Sequence, residues 1–222
     1  MGSNILLGVV VVMVICIFWV WNMLANHPKL LSAHYDDLKF KTGDIILFHA
    51  YDNVNPVFIG CYWGHVGIVY DDPDTDDPPM LFEAAKTTEM SYCPDYNKHG
   101  IMITDLKTRV EKYPGLIACK FLNRPIDPAI SRGFKEFIYY ARNNMYYYND
   151  VVFNGMKKKT GERIHTGTNC GEITLLSLIK LGLIPYETLD KKMCHHLLYV
   201  INLTQVENNH YMKPIEVTIN PF

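Results

Sequence analysis

The sequence contains no cluster of basic residues. Its 21 Lys and Arg are spread along the chain and are balanced by 23 Asp and Glu, which gives a net charge of −2. Proteins that bind nucleic acid usually carry a basic patch, because they must neutralise phosphates. The composition therefore argues against nucleic acid as a partner.

Paired cysteines are also missing. The six cysteines include no C-x-x-C pair, so neither zinc binding nor thiol redox chemistry is indicated. The stretch Cys194-His195-His196 contains metal-binding residue types, but adjacent side chains rarely converge on one ion. We expect no metal and no other cofactor. A secreted domain held by disulfides among the scattered cysteines is an alternative that the sequence leaves open.

Charged residues are absent from residues 5–21, which read ILLGVVVVMVICIFWVW. With Met23 and Leu24 the apolar run reaches about 20 residues, enough to cross a hydrocarbon core, and Trp19 and Trp21 lie where interfacial anchors are common. No Lys or Arg precedes the run and the residues after it form a poor cleavage site, so a retained anchor is favoured over a cleaved signal peptide. Residues 1–26 are predicted to be a single-pass transmembrane anchor.

The side of the membrane is indicated by two conflicting signals. Lys29, Lys39 and Lys41 follow the apolar run and no basic residue precedes it, which favours the main domain on the cytosolic side. The sequon at residues 202–204 favours the opposite side. We expect the cytosolic orientation, with the lipid bilayer as one partner of the chain.

The remaining sequence changes character along its length. Five short segments rich in β-branched or aromatic residues are separated by turn residues; they lie at residues 44–49, 64–70, 80–84, 101–105 and 116–122. Helical periodicity follows at 130–143, at 170–181 and, in a shorter stretch, at 188–197. This order predicts an α+β domain with an antiparallel sheet packed against helices. The predicted boundaries are a tether at 27–41, a domain at 42–200 and a C-terminal tail at 201–222.

The stretch TGTNCGEITLLSLIKLGL, residues 166–183, predicts a buried helix with a cysteine in its first turn. Asn169 is a good N-cap, Glu172 has the spacing of a capping box, and Gly182 supplies a left-handed stop. Unpaired N–H groups and the helix dipole favour an anion at this end, so the pKa of Cys170 should be lowered. Cys170 is therefore a candidate nucleophile, and a buried structural cysteine is the alternative.

A candidate base lies on the strand GHVGIVY. His65, Gly67 and Val69 share one face of this strand, and Gly67 leaves space through which the cysteine helix could approach. Glu83 lies on the segment MLFEA, where its carboxylate could stand behind the imidazole as the third member of a triad. Taken alone, His65 is more typical of a hydrogen-bonded strand histidine than of a base, and its combination with Cys170 and Glu83 favours the base.

Five motifs occur in one order: TGDIILF (42–48), GHVGIVY (64–70), FEA (82–84), YNDVVF (148–153) and NCGE (169–172). Together they resemble the circularly permuted papain-like hydrolases of the NlpC type, above all the YiiX-like branch, over residues 40–185. The histidine precedes the cysteine, as permutation requires. The lecithin retinol acyltransferase branch is a more distant relative that has a second histidine where this chain has Glu83. The chain departs from the pattern at Gly171, where serine is frequent, and at Asn149, which is inserted.

The resemblance implies a role for each matching residue. Cys170 would be the nucleophile, His65 the base and Glu83 the residue that orients it. From the local sequence, independently of the resemblance, Asn169, Gly171 and Glu172 would support the helix cap and the oxyanion site. Trp63 and Tyr148 are the candidate pocket residues.

The predicted function is that of a membrane-anchored cysteine hydrolase, an amidase or peptidase, or an acyl hydrolase or acyltransferase, working through a thioester acyl-enzyme. Its substrate would be a peptide, a lipid amide or an acyl ester near the bilayer. The alternative is a catalytically silent module with the same fold, a membrane-bound scaffold whose partners would be the proteins of a membrane complex or of a large DNA virus particle.

Overall fold

The computed structural model describes residues 8–17, 30–49, 63–85, 100–147, 167–184, 211 and 215–218. The strands are β1 (Leu31–His34), β2 (Ile45–His49), β3 (His65–Tyr70), β4 (Met80–Ala84), β5 (Ile101–Asp105), β6 (Leu116–Lys120), β7 (Tyr146–Tyr147), β8 (Gly167–Thr168) and β9 (Ile215–Thr218). The helices of the domain are α1 (Leu106–Glu111), α2 (Pro128–Asn144) and α3 (Cys170–Lys180), and a 3-10 turn covers Tyr35–Asp37.

Seven of the strands form one sheet in the order β1-β9-β6-β2-β3-β4-β5. Every neighbouring pair in it is antiparallel except β1 and β9, which run parallel. Strands β7 and β8 form a separate parallel pair just before α3. The chain is thus an α+β protein with a seven-stranded sheet and helices, as the order of its elements predicts.

The sheet is not the purely antiparallel one that the sequence predicts, because its first strand, β1, and its last strand, β9, pair in parallel. Strand β1 lies in the segment for which the sequence predicts a tether, and β9 lies in the predicted C-terminal tail. Their pairing places Leu31 opposite Ile215 and His34 opposite Thr218. The physical reason is that β9 pairs along β6, where its apolar Val217 becomes buried, and β1 then adds to the free side of β9.

The sheet separates two apolar cores. Val66, Ile68 and Tyr70 of β3 face one core together with α2 and α3, whereas Val69 faces the other core together with α1. This is the alternation expected of a strand that is covered on both faces. Helices α1 and α3 therefore pack on opposite faces of the sheet, and they can share a site only where a strand ends.

The N-terminal apolar run is described in part. Residues 8–17 are helical, and most of their large apolar side chains, from Val9 to Ile17, are exposed. Over the ranges that the structure covers, no helix combines the length and apolar character that crossing a bilayer requires. The rest of the predicted anchor and the predicted helix at 188–197 lie outside the described residues.

Candidate active site

Helix α3 begins where the sequence predicts. Asn169 is its N-cap, and its side-chain oxygen accepts a hydrogen bond from the backbone N–H of Glu172 at 2.9 Å. Gly182 has a φ of 68°, and the N–H groups of Gly182 and Leu183 donate to Ile179 and Leu178, which closes a Schellman motif. Both predicted caps are confirmed, so Cys170 is the first residue of the helix.

Burial of α3 fixes the direction in which Cys170 points. Ile173, Leu175 and Leu178 are fully or almost fully buried. The two buried hydroxyl groups on the helix are satisfied internally, because Thr174 donates to the carbonyl of Cys170 and Ser177 to that of Ile173. The helix is therefore held firmly against the sheet, and Cys170 in its first turn is partly exposed.

His65 is the first residue of β3, pairs with Phe48 of β2 and lies at the end of the sheet. Its imidazole ring lies 5.3 Å from the Phe48 ring, centroid to centroid. The side chain keeps 19% of its surface exposed. From this end position the imidazole can reach both the Glu83 carboxylate and the Cys170 thiol, although Glu83 and helix α3 lie on opposite faces of the sheet.

Glu83 stands behind His65. The Nε2 atom of His65 lies 2.5 Å from Oε2 of Glu83, and the Glu83 side chain is completely buried. This contact occupies Nε2 and leaves Nδ1 as the ring nitrogen available to Cys170. The arrangement fixes the orientation of the imidazole in the way that the third member of a triad does.

Gly67 has a different role from the expected one. A Cβ atom placed at Gly67 would lie 2.9 Å from Cδ1 of Leu81 and 3.3 Å from Cβ of Glu83. The space beside His65 is thus filled by side chains of β4, not by the cysteine helix. The sequence expectation was wrong because α3 packs on the opposite face of the sheet, so it approaches His65 around the end of β3.

Arg109 on α1 contacts Glu83 from the remaining side. Its Nε donates to Oε1 of Glu83 at 2.8 Å, and its second terminal nitrogen donates to Oε2 at 3.3 Å. The guanidinium also lies over the rings of Phe48 and Tyr113, at 4.4 Å and 5.2 Å from their centroids. Only 6% of the Arg109 side chain is exposed, so this ion pair is buried on both sides.

The thiol of Cys170 belongs to the same chain of interactions. Burial would raise the pKa of Cys170, but the charge of His65, a hydrogen bond with His65 and the backbone N–H groups of Val66 and Gly171 together lower it. The Val66 N–H comes from β3, which places the sulfur at the strand end where His65 begins. The site therefore favours a thiolate beside an imidazolium.

His65 and Glu83 are charged as well. Burial alone would lower the pKa of His65, but the charge and hydrogen bond of Cys170, followed by those of Glu83, raise it to about 9. Burial would raise the pKa of Glu83, but Arg109 and His65 hold it at about 2. Alternating charges run from the sulfur through the imidazole and the carboxylate to the guanidinium.

The two candidate pocket residues were not both placed by the structure. Trp63 is buried, with 5% of its surface exposed, and packs in the core that contains α2 and α3. Tyr148 lies outside the described residues, as does the Cys194-His195-His196 stretch. Among the residues that are described, no three His, Cys, Asp or Glu side chains are arranged to hold a metal ion.

Sequence reasoning missed Arg109. A signal was present, because Leu106, Arg109 and Val110 share one helical face and Asp105 precedes them as an N-cap, accepting from the N–H of Thr108 at 2.7 Å. An arginine on the buried face of a helix needs an anionic partner. Naming that partner required knowing that α1 follows β5, the strand next to β4.

Comparison with known proteins gave one kind of match. No family model matches the chain, and no curated protein is similar to it. Solved structures do match, among them the crystal structure described as metalloprotein yiiX from Escherichia coli O157:H7. That structure is 13% identical to this chain, covers 80% of this chain and 89% of its own, and superposes with a TM-score of 0.46.

Proposed function

We propose that the protein is a cysteine hydrolase that cleaves amide or ester bonds through Cys170, His65 and Glu83. One observation carries the proposal: a partly exposed thiol at the first residue of a buried helix meets an imidazole whose other nitrogen contacts a buried carboxylate at 2.5 Å. This is the arrangement of a nucleophile, its base and the group that orients the base.

The chemistry follows from the protonation states of the site. The Cys170 thiolate attacks the carbonyl carbon, a C–S bond forms, and the carbonyl electron pair moves to the oxygen. N–H groups of the first turn of α3, including that of Cys170, are the proposed donors to this oxyanion, each worth about 3 kcal/mol. The imidazolium of His65 protonates the leaving amine or alkoxide, which departs and leaves a thioester.

Hydrolysis of the thioester reverses these roles. His65, now neutral, takes a proton from a water molecule that attacks the acyl carbon. The tetrahedral intermediate collapses, the C–S bond breaks, and a carboxylic acid and the Cys170 thiolate are released, the thiolate beside the imidazolium once more. An amine or alcohol in place of the water would give acyl transfer, so the same site serves a hydrolase or an acyltransferase.

The proposed ancestry is that of a permuted papain-like hydrolase of the NlpC type. It is supported by the order of the elements, because the histidine strand β3 precedes the cysteine helix α3 in the chain. It is also supported by the five motifs in register. The proposed substrates are peptides, lipid amides or acyl esters.

The test is the reactivity of Cys170. Iodoacetamide at pH 6 should alkylate Cys170 faster than it alkylates glutathione in the same tube, because few ordinary thiols are ionised at that pH. Peptide mapping by mass spectrometry identifies the modified residue. His65→Ala should slow the reaction by at least about tenfold, and p-nitrophenyl acetate should acetylate Cys170 and release p-nitrophenol with turnover.

A matched control is available in the core on the opposite face of the sheet. Cys119 is completely buried, and burial raises its pKa well above the ordinary value, so Cys119→Ala should leave the reactivity of Cys170 unchanged. A wild-type Cys170 that reacts no faster than glutathione and ignores the change at His65 would contradict the hydrolase. That result would favour the catalytically silent scaffold.

Membrane attachment is a further part of the proposal. It is supported by the exposed apolar side chains of the helical residues 8–17, which lack any charge. The full chain should stay with membranes during alkaline carbonate extraction, and the double change Val12→Lys with Ile15→Lys should release it, because each charge is costly inside a bilayer. Extraction of the unchanged chain would contradict the anchor. Protease protection of the domain in sealed vesicles reports its side of the membrane.

A further inference from the structure

Arg109 is a buried charged group outside the proposed triad. It is placed by α1, which packs against the opposite face of the sheet from the cysteine helix. Its guanidinium is held from two directions, by the Glu83 carboxylate and by the Phe48 and Tyr113 rings. Such two-sided fixation leaves Arg109 little freedom to move away from Glu83.

The contact between Arg109 and Glu83 uses both carboxylate oxygens. Oε1 accepts from Nε of Arg109, whereas Oε2 is shared between a terminal nitrogen of Arg109 and Nε2 of His65. Two hydrogen bonds from a planar guanidinium fix the plane of a carboxylate. The direction in which Oε2 faces the imidazole is therefore set by Arg109.

Glu83 needs a cation to remain ionised. A completely buried carboxylate without one would take up a proton, because burial disfavours the charged form. The charged groups that face Glu83 are Arg109 from α1 and His65 from β3, and His65 in turn faces Cys170. Only Arg109 carries a charge that does not depend on pH over the working range.

We propose that Arg109 is a positioning residue of the active site, which holds Glu83 ionised and aimed at His65 and thereby supports the reactive state of Cys170. This inference rests on the proposed function. It extends the triad to a fourth residue that contacts no reacting atom. A purely structural arginine would affect folding only, whereas a positioning residue also changes the pH dependence of the thiol.

The test follows the rate of Cys170 alkylation by iodoacetamide as the pH is lowered, using the full chain. The acid limb is the pH range in which this rate falls as the pH is lowered. In Arg109→Met, Glu83 should become protonated at a higher pH, so that His65 loses its anionic partner. The midpoint of the acid limb should therefore rise by about one pH unit. Arg109→Lys keeps the charge but not the paired donors, so a smaller rise is expected. Lys107→Gln, a surface change on the same helix, is the control without a shift.

The double variant Glu83→Gln with Arg109→Met shows whether Arg109 acts through Glu83. The midpoint of this double variant should equal that of Glu83→Gln alone. The double variant lacks both buried charges, so neither is left in the core without its partner. If Arg109→Met does not fold, the double variant and Arg109→Lys still test the inference. Wild-type midpoints in the Arg109 variants, or a further shift in the Glu83→Gln background, would overturn the inference.

Failure of the inference differs from failure of the proposed function. A wild-type Cys170 without enhanced reactivity and without an acid limb removes the proposed function and the inference with it. A reactive wild-type Cys170 whose acid limb ignores Arg109 removes the inference alone.

Discussion

Glu83 and Asp44 are both completely buried carboxyl groups, yet their pKa values shift in opposite directions. Burial would raise the pKa of Glu83, but Arg109 and His65 offset that effect and hold it at about 2. Burial raises the pKa of Asp44 to about 6, although the N–H groups of Leu122 and Lys41 lower it in part. Two hydrogen bonds at 2.8 and 2.9 Å satisfy the Asp44 oxygens, and the charge of Lys41 also lowers the pKa of Asp44, but burial outweighs these effects. Glu83, in contrast, has a guanidinium in direct contact.

The difference separates a structural carboxyl group from one suited to catalysis. Asp44 connects the start of β2 to Leu122, just after β6, through a hydrogen bond. Ionisation of this buried carboxyl group is unfavourable. Glu83 is embedded in alternating charges that continue to the thiol. The same burial therefore leaves Asp44 with a pKa of about 6, whereas Glu83 stays ionised down to about pH 2.

The largest effect is expected from removing the charge of Glu83. Glu83→Gln keeps the shape of the side chain but leaves Arg109 buried without an anion, so the free energy of unfolding at pH 7 should fall by about 3 kcal/mol. Urea denaturation measures this. Asp36→Asn, which breaks the exposed pair with Lys107, should produce no measurable change.

The pH dependence of this effect has a definite sign. Because the pKa of Glu83 is about 2 in the folded protein and 4.5 ordinarily, its ionised form stabilises the fold above pH 4.5. That stabilisation is lost as the pH falls through about 2. The stabilities of Glu83→Gln and wild type should therefore converge in acid, and a difference that is constant with pH would contradict the charge argument.

Asp44→Asn should show the opposite pH dependence. The folded-state pKa of Asp44, about 6, lies above its ordinary value of 3.8. The folded protein therefore holds the proton more tightly, and its stability falls as the pH rises from about 4 to above 6. This part of the decline is worth about 3 kcal/mol.

The amide introduced by Asp44→Asn does not titrate, so the variant should lack that decline. Urea denaturation of wild type and Asp44→Asn at pH 4 and pH 7 measures it. The variant has one acceptor for two N–H donors and is expected to be less stable than wild type at pH 7 only to a small extent. Parallel stability curves for the two proteins would show that Asp44 does not titrate in this range.

The sequence predicts those parts of the fold that depend on local pattern. The bounds of β4 and β5 agree with the predicted segments, and those of β2, β3 and β6 differ by one or two residues, because alternation and turn residues are local signals. The parallel pairing of β1 with β9 joins segments near the two ends of the chain. No periodicity within either segment specifies a partner that distant.

The same limit applies to the candidate site. Cap chemistry places Cys170 at the start of α3, and strand periodicity puts His65 and Glu83 on their faces. The partner of Arg109 and the side from which α3 approaches depend on which strands are neighbours and which face each helix covers. These are properties of the topology, and residue spacing in one segment does not contain them.

A smaller effect than that of Glu83→Gln is expected from the packing beside Glu83. Gly67→Ala adds a Cβ atom at 2.9 Å from Leu81 Cδ1 and 3.3 Å from Glu83 Cβ, in a core where Leu81 is completely buried. Overpacking of this kind should lower the free energy of unfolding by about 2 kcal/mol. It should also displace the Glu83 carboxylate from Arg109. The midpoint pH of the acid limb of Cys170 alkylation should then rise.

Two companion variants show whether the effect is one of space. Gly133 lies within α2, and apart from the backbone of that helix no described atom lies within 4 Å of an added Cβ. Gly133→Ala should therefore stabilise the protein by up to about 1 kcal/mol through helix propensity. Leu81→Val removes the nearest methyl groups and should recover part of the loss when combined with Gly67→Ala. If Gly67→Ala is as stable as wild type and has the same midpoint of the acid limb, close packing between β3 and β4 does not position Glu83. The ion pair with Arg109 must then do so alone.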